Sequence, residues 1–138
     1  MNYWLLKTEA SKYSWNDLVR DKSIFWNGVR NYQSRNNLKA MKIGDLAFFY
    51  HSVDEKKIVG VARIVRTAYP DKDDPAWVML DIEPVKSLKI PVTLEMIKNC
   101  ADLKDMAMLK QSRLSVSPVR KEEFQRILEL GGSSETFN

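Results

Sequence analysis

WNGVRNYQSRNNLKAMKIGDLAFFYHS, residues 26–52, is the stretch on which the fold turns. Phe25-Trp26-Asn27-Gly28 reads as a turn, because Gly28 permits backbone angles that side chains forbid. Residues 31–41 follow with helical spacing, Tyr32, Arg35 and Lys39 falling near one side. Asn36 and Asn37 weaken that helix by competing for its backbone. Lys42 to Asp45 then forms a turn into the strand LAFFYH, 46–51. Period-two alternation puts Leu46, Phe48 and Tyr50 on one face and Ala47, Phe49 and His51 on the other. Both faces carry aromatics, so the strand is expected to be covered on both sides.

The flanking sequence supplies its neighbours. YWLLKT at 3–8 reads as a first strand. Ser14 with Asp17 makes a capping box for a short helix over 15–21. DEKK at 54–57 is a polar turn. IVGVARIVRTA at 58–68 is a long β-branched strand in which Gly60 marks a bulge or a close backbone approach. Residues 69–77 read as a loop, 77–85 as a strand, 94–99 as a short helix introduced by Pro91 and Thr93, and 113–117 as a strand. Residues 120–130 form an amphipathic helix with Phe124, Ile127 and Leu128 inward, ended by Gly131. The expectation is an α+β fold: a mixed sheet of about five strands, rolled into a small barrel and flanked by short helices. It should form a single domain over 1–131, with a flexible tail at 132–138.

Composition narrows the function. The 138 residues carry one cysteine, Cys100, and one histidine, His51. No internal disulfide can form, which fits a reducing compartment. A zinc site of Cys/His type is not available. No apolar run approaches the roughly 20 residues needed to cross a bilayer, and the N-terminus has no signal-peptide pattern. The chain is expected to be non-secreted, cytoplasmic in a bacterium or nuclear in a eukaryote, monomeric and without cofactor or metal. Its net charge is +4. Residues 1–50 hold eight Lys/Arg against four Asp/Glu, and the remaining segments balance, so the surplus lies in the first fifty residues. Ten of the fourteen aromatics lie there too. Most of these are expected in the core, but basic groups beside aromatic faces also suit phosphates and bases.

No nucleophile elbow, Walker loop or dinucleotide fingerprint is present. A Cys100–His51 pair would be needed for thiol chemistry, and Cys100 reads better as a structural thiol at a helix end. No catalytic residue is therefore assigned; a nuclease or base-processing activity is the minor alternative. Three segments suit binding instead: WNGVRNYQSR at 26–35, FYHS at 49–52 and Arg113-Leu114-Ser115.

These segments carry a resemblance. YWLLKTEASKYSWNDL (3–18), WNGVRNYQSRNNLKAMKIGDLAFFYHS (26–52), IVGVARIV (58–65), PVTLEMIK (91–98) and QSRLSVSPV (111–119) resemble the EVE-domain family of the PUA-like superfamily. Ala10 stands where that family usually has proline. The resemblance implies a PUA-like β-barrel and a partner that is nucleic acid with a modified base, cytosine in DNA being favoured over RNA. A single-stranded RNA-binding module without modification selectivity is the alternative. By this likeness the base pocket is expected to use Trp26 for stacking, and Asn31 and Ser52 for the polar edge. Tyr50 and His51 would close it, with Trp4 and Lys7 on its floor. Arg30, Arg35, Arg113 and Ser115 are candidates for phosphates or for orienting the pocket.

Overall fold

A computed structural model describes residues 1–133. Its strands are β1 (Tyr3–Glu9), β2 (Ile24–Trp26), β3 (Leu46–Ser52), β4 (Lys57–Pro70), β5 (Val78–Thr93) and β6 (Val116–Val119). Its helices are α1 (Trp15–Asp21), α2 (Tyr32–Ala40), α3 (Leu94–Lys98), α4 (Ala107–Lys110) and α5 (Lys121–Leu130), with one 3₁₀ turn at Ala101–Leu103. The strands form one mixed sheet in the order β2-β5-β4-β3-β1-β6. The α+β class is as expected. The sheet has six strands rather than about five, and its edges do not pair, so the barrel stays open. Those edge strands, β2 and β6, are only three and four residues long.

β3 is central and covered on both faces, as its aromatics required. On one side Leu5, Phe48, Tyr50 and Val61 pack against Phe124, Ile127 and Leu128 of α5 and against the 97–108 segment. On the other, Trp4, Leu6, Phe49, Ile64 and Leu80 pack against Trp15 and Leu18 of α1 and Leu38 of α2. β1 runs parallel to β3, with Lys7 beside Tyr50 and Glu9 beside Ser52. The connection between them passes through α1, β2 and α2.

Local chemistry fixes the ends. Asp17 N–H donates to Ser14 Oγ at 3.1 Å and Ser14 N–H to Asp17 Oδ2 at 2.8 Å, the capping box read from the sequence. Thr93 caps α3 through Met96 N–H at 3.1 Å. Asp45 is buried and accepts from Trp4 Nε1–H, Asn2 N–H and Lys42 N–H, at 3.1, 3.1 and 3.0 Å. Gly60 meets both of its expectations. The pairing of β4 with β5 shifts register between Ile58 and Gly60. The Trp15 indole also lies directly over its Cα: a Cβ there would stand 2.6 Å from Cη2.

Three element boundaries differ from the sequence reading. β5 runs past Val85 to Thr93, since Lys86, Ser87, Val92 and Thr93 go on pairing with β4 beyond a register shift at Val61/Ala62 that accommodates Pro84, a residue without an N–H. The last strand is 116–119 rather than 113–117, and the Phe25-Trp26 turn is the end of an edge strand. Gly132 and Ser133, expected to open a flexible tail, close α5 through N–H donors to Glu129 O and Leu128 O. The rest of that tail, 134–138, lies outside the described residues. No helix among the described residues is long and apolar enough to cross a membrane.

Candidate nucleic-acid interface

The carboxyl ends of the parallel pair β1 and β3 open into a cleft of about 1050 Å³. That reaches the top of the roughly 300–1,000 Å³ range of small-molecule sites. Lys7, Thr8 and Glu9 enter from β1, and Tyr50 and Ser52 from β3. The edge strand and its turn supply Ile24 through Val29. Leu94 and Lys98 of α3, with Met108, Leu109 and residues 112–115, form the far wall.

Strand parity decides which predicted residues reach it. Lys7 and Tyr50 face the cleft from adjacent strands, with Lys7 Nζ 5.7 Å from the Tyr50 ring centroid. Lys7 Nζ donates to Ser112 O at 3.0 Å and Lys7 N–H to Ser115 O at 2.8 Å, tying β1 to the far wall. Burial pulls the Lys7 ammonium below its ordinary value and pushes the Tyr50 phenol above its own. Trp26 lines the cleft, its indole held edge-on to Phe49 at 5.8 Å. Ser52, Arg113 and Ser115 also line it.

Three predicted residues lie elsewhere. Trp4, one residue out of phase with Leu5 and Lys7, belongs to the opposite core and is anchored to Asp45. His51, out of phase with Tyr50, accepts the Trp15 N–H at Nε2 (3.0 Å) and meets Glu55 Oε1 at Nδ1 (2.9 Å). A neutral ring can satisfy both only with its proton on Nδ1. The His51 bond is also the main reason the Glu55 carboxyl sits below its usual range. Asn31 is the N-cap of α2, its side chain accepting from Ser34 N–H at 2.9 Å.

Arg30 and Arg35 stand just outside. Arg30 donates to buried Asp71 at 3.2 Å, and Asp71 also accepts from Gly28 N–H and Asp73 N–H. Desolvation pushes the Asp71 carboxyl up, but these three bonds outweigh it and leave it below its ordinary value. Arg35 donates to Ala76 O at 3.0 Å and lies over the Tyr32 and Trp77 rings.

The sequence reading missed the rim. Lys12, Lys56 and Lys98 join Lys7 and Arg113 around the cleft, with Glu9 the single carboxylate lining it. Lys12 pairs with Glu9 at 3.5 Å. Lys56, Lys98 and Arg113 have no carboxylate partner among the described residues. Residues 12, 56, 98 and 113 are scattered along the chain, so a count by segment could not group them. Val53 also lines the cleft and has φ 70°, a left-handed backbone that β-branched residues avoid. It holds the β3–β4 hairpin in a strained shape at the cleft mouth.

The EVE domain model matches residues 2–130. Thymocyte nuclear protein 1 of Mus musculus is 39% identical, the match covering 94% of this chain and 73% of that protein. A crystal structure of a protein from Agrobacterium tumefaciens has a TM-score of 0.96 at 38% identity, covering 100% of this chain and 98% of that one. The human THYN1 protein, in complex with DNA containing 5-methylcytosine, has a TM-score of 0.88 at 33% identity, covering 98% of this chain and 100% of that one. The chain belongs to the EVE domain family.

Proposed function

We propose that the cleft binds a modified base in DNA, cytosine methylated at C5, held out of the helical stack. One observation carries this reading: aromatic side chains and unpaired cations line one cleft large enough for a nucleotide. Trp26, Tyr50, Phe25 and Tyr13 line it beside Lys56, Lys98 and Arg113. The human relative's complex with 5-methylcytosine DNA supports the choice of ligand. Unstacking the base costs a few kcal/mol. Stacking on aromatics returns about 1–3 kcal/mol, and phosphate contacts supply the remainder.

The site works by binding rather than by chemistry. Both His51 nitrogens are occupied by Trp15 and Glu55, so the ring is not offered to a nucleophile. Recognition rests on shape and stacking, with the Ser52 side chain beside the polar edge.

The test is competition between duplexes that differ by one methyl group, with wild type and Trp26→Ala. The wild type should prefer the methylated duplex, and Trp26→Ala should lose that preference with roughly 5- to 150-fold weaker binding. Equal affinity of the wild type for both duplexes would overturn the reading. Affinity should fall with salt at a log–log slope of roughly −0.9 per phosphate neutralised, so about −3 for the three unpaired cations.

A further inference from the structure

A second group of aromatic and cationic side chains stands beside the cleft, outside its walls. Trp77 and Tyr32 lie 5.1 Å apart, centroid to centroid, at 33°. The Arg35 guanidinium is 4.9 Å from the Tyr32 ring and 5.3 Å from that of Trp77. Arg30 approaches the Trp77 ring at 5.6 Å. The two arginines are fixed rather than trailing in solvent, Arg35 by Ala76 O and Arg30 by Asp71.

This assembly is more than packing between α2 and the 71–77 loop. Tyr32 is 67% exposed, although a tyrosine placed only to pack would be covered. Arg30 keeps 40% of its side chain exposed while paired to a carboxylate that is fully buried. The group holds an exposed tyrosine and a part-exposed guanidinium together, the combination that suits a nucleotide's base or sugar and its phosphate.

Its position is fixed relative to the cleft. Gly28 and Val29 line the cleft wall, and Arg30 is the next residue. Asp71 binds Gly28 N–H and Arg30 together, so wall and platform form one braced unit. The Gly28 backbone, at φ 80°, makes the turn between them.

We infer that Tyr32 and Arg30 form a strand-holding platform for the nucleotide that flanks the base in the cleft, Tyr32 giving the stacking face and Arg30 the phosphate contact. This rests on the cleft being a base pocket. The platform contributes affinity without reading the modification, since it touches only the neighbouring nucleotide. Trp77 and Arg35 position Tyr32 through their contacts with its ring.

The experiment measures affinity for a duplex with one 5-methylcytosine and for the same duplex unmodified, using wild type, Tyr32→Ala and Tyr32→Phe. Thermal melts of all three show whether they fold; Tyr32→Phe keeps the ring and serves as the conservative variant. Tyr32→Ala should bind both duplexes about tenfold more weakly and leave their affinity ratio unchanged. Tyr32→Phe should stay within about twofold of wild type on each. If Tyr32→Ala also stays within about twofold on both, the platform is refuted while a wild-type preference for the methylated duplex still supports the pocket. If Tyr32→Ala abolishes the preference itself, Tyr32 is part of the base pocket and the division proposed here fails. A wild type that binds both duplexes equally, with Tyr32→Ala weaker on both, keeps Tyr32 as a strand-holding residue but overturns the methyl-selective pocket and, with it, the placement of Tyr32 beside a base held there. A wild type that binds neither overturns both.

Discussion

Gly60→Ala tests the packing that sets α1 over the sheet. The new methyl would overlap Cε2, Cζ2 and Cη2 of Trp15. Trp15 cannot pivot freely. Its Nε1–H donates to Ser87 Oγ at 2.7 Å, its backbone N–H to His51 Nε2 at 3.0 Å, and its ring meets Phe49 edge-on at 5.4 Å. Overpacking of this kind costs roughly 1–3 kcal/mol, and displacing the indole gives up a hydrogen bond of about 1 kcal/mol. Alanine returns up to about 1 kcal/mol by restricting the unfolded chain. The net loss is about 1–4 kcal/mol, centred near 2.5, a large share of a typical stability of roughly 5–15 kcal/mol. With an unfolding entropy of roughly 2.1 cal/mol/K per residue, Tm should fall by roughly 8 °C. Urea unfolding and thermal melts report both quantities. In a Trp15→Leu background the overlap is gone and Gly60→Ala should become neutral or stabilising. A Gly60→Ala cost below about 0.5 kcal/mol, or the same cost in both backgrounds, would refute the reasoning.

Asp45→Ala strands three donors at a buried site, from Trp4, Asn2 and Lys42, and should cost about 3 kcal/mol in urea unfolding. Val53→Asn places at φ 70° a residue that tolerates left-handed backbone, and should gain about 1 kcal/mol in a thermal melt; an unchanged or lower Tm would contradict the strain. The carboxyls of Asp17, Asp21, Glu55 and Asp71 all sit below their ordinary values of 3.8 for Asp and 4.5 for Glu. Their contribution is therefore fully present above those values and is lost as pH falls through the lower folded ones. Tm should hold from neutral pH to about pH 5 and drop below about pH 4. A Tm that stays level to pH 3 would contradict it.

Much of this was legible in the residues because periodicity reports burial. The alternating aromatics of LAFFYH marked β3 as central, and Gly60 marked a close approach that the Trp15 ring fills. The capping pair Ser14 and Asp17 fixed the start of α1. What failed was pairing and phase. The strand read over 77–85 continues to Thr93, because its further pairing with β4 past a register shift depends on the partner strand. The family likeness places Trp4 and His51 in the pocket with Lys7 and Tyr50, whereas strand parity turns them to the opposite face. The likeness gives Asn31 to a base edge, whereas its side-chain oxygen accepts the Ser34 N–H at the start of α2. The cationic rim was invisible because Lys12, Lys56 and Lys98 meet only after folding.

The most direct test of the cleft's role is to follow the backbone and indole N–H signals of the labelled protein by NMR during titration with a duplex carrying a single 5-methylcytosine. The largest shifts should fall on the Trp26 indole, Asn27, Gly28, Ser52 and Arg113, and should shrink when the methyl group is absent. Shifts confined to surfaces away from the cleft, with the Trp26 indole unmoved, would contradict the account.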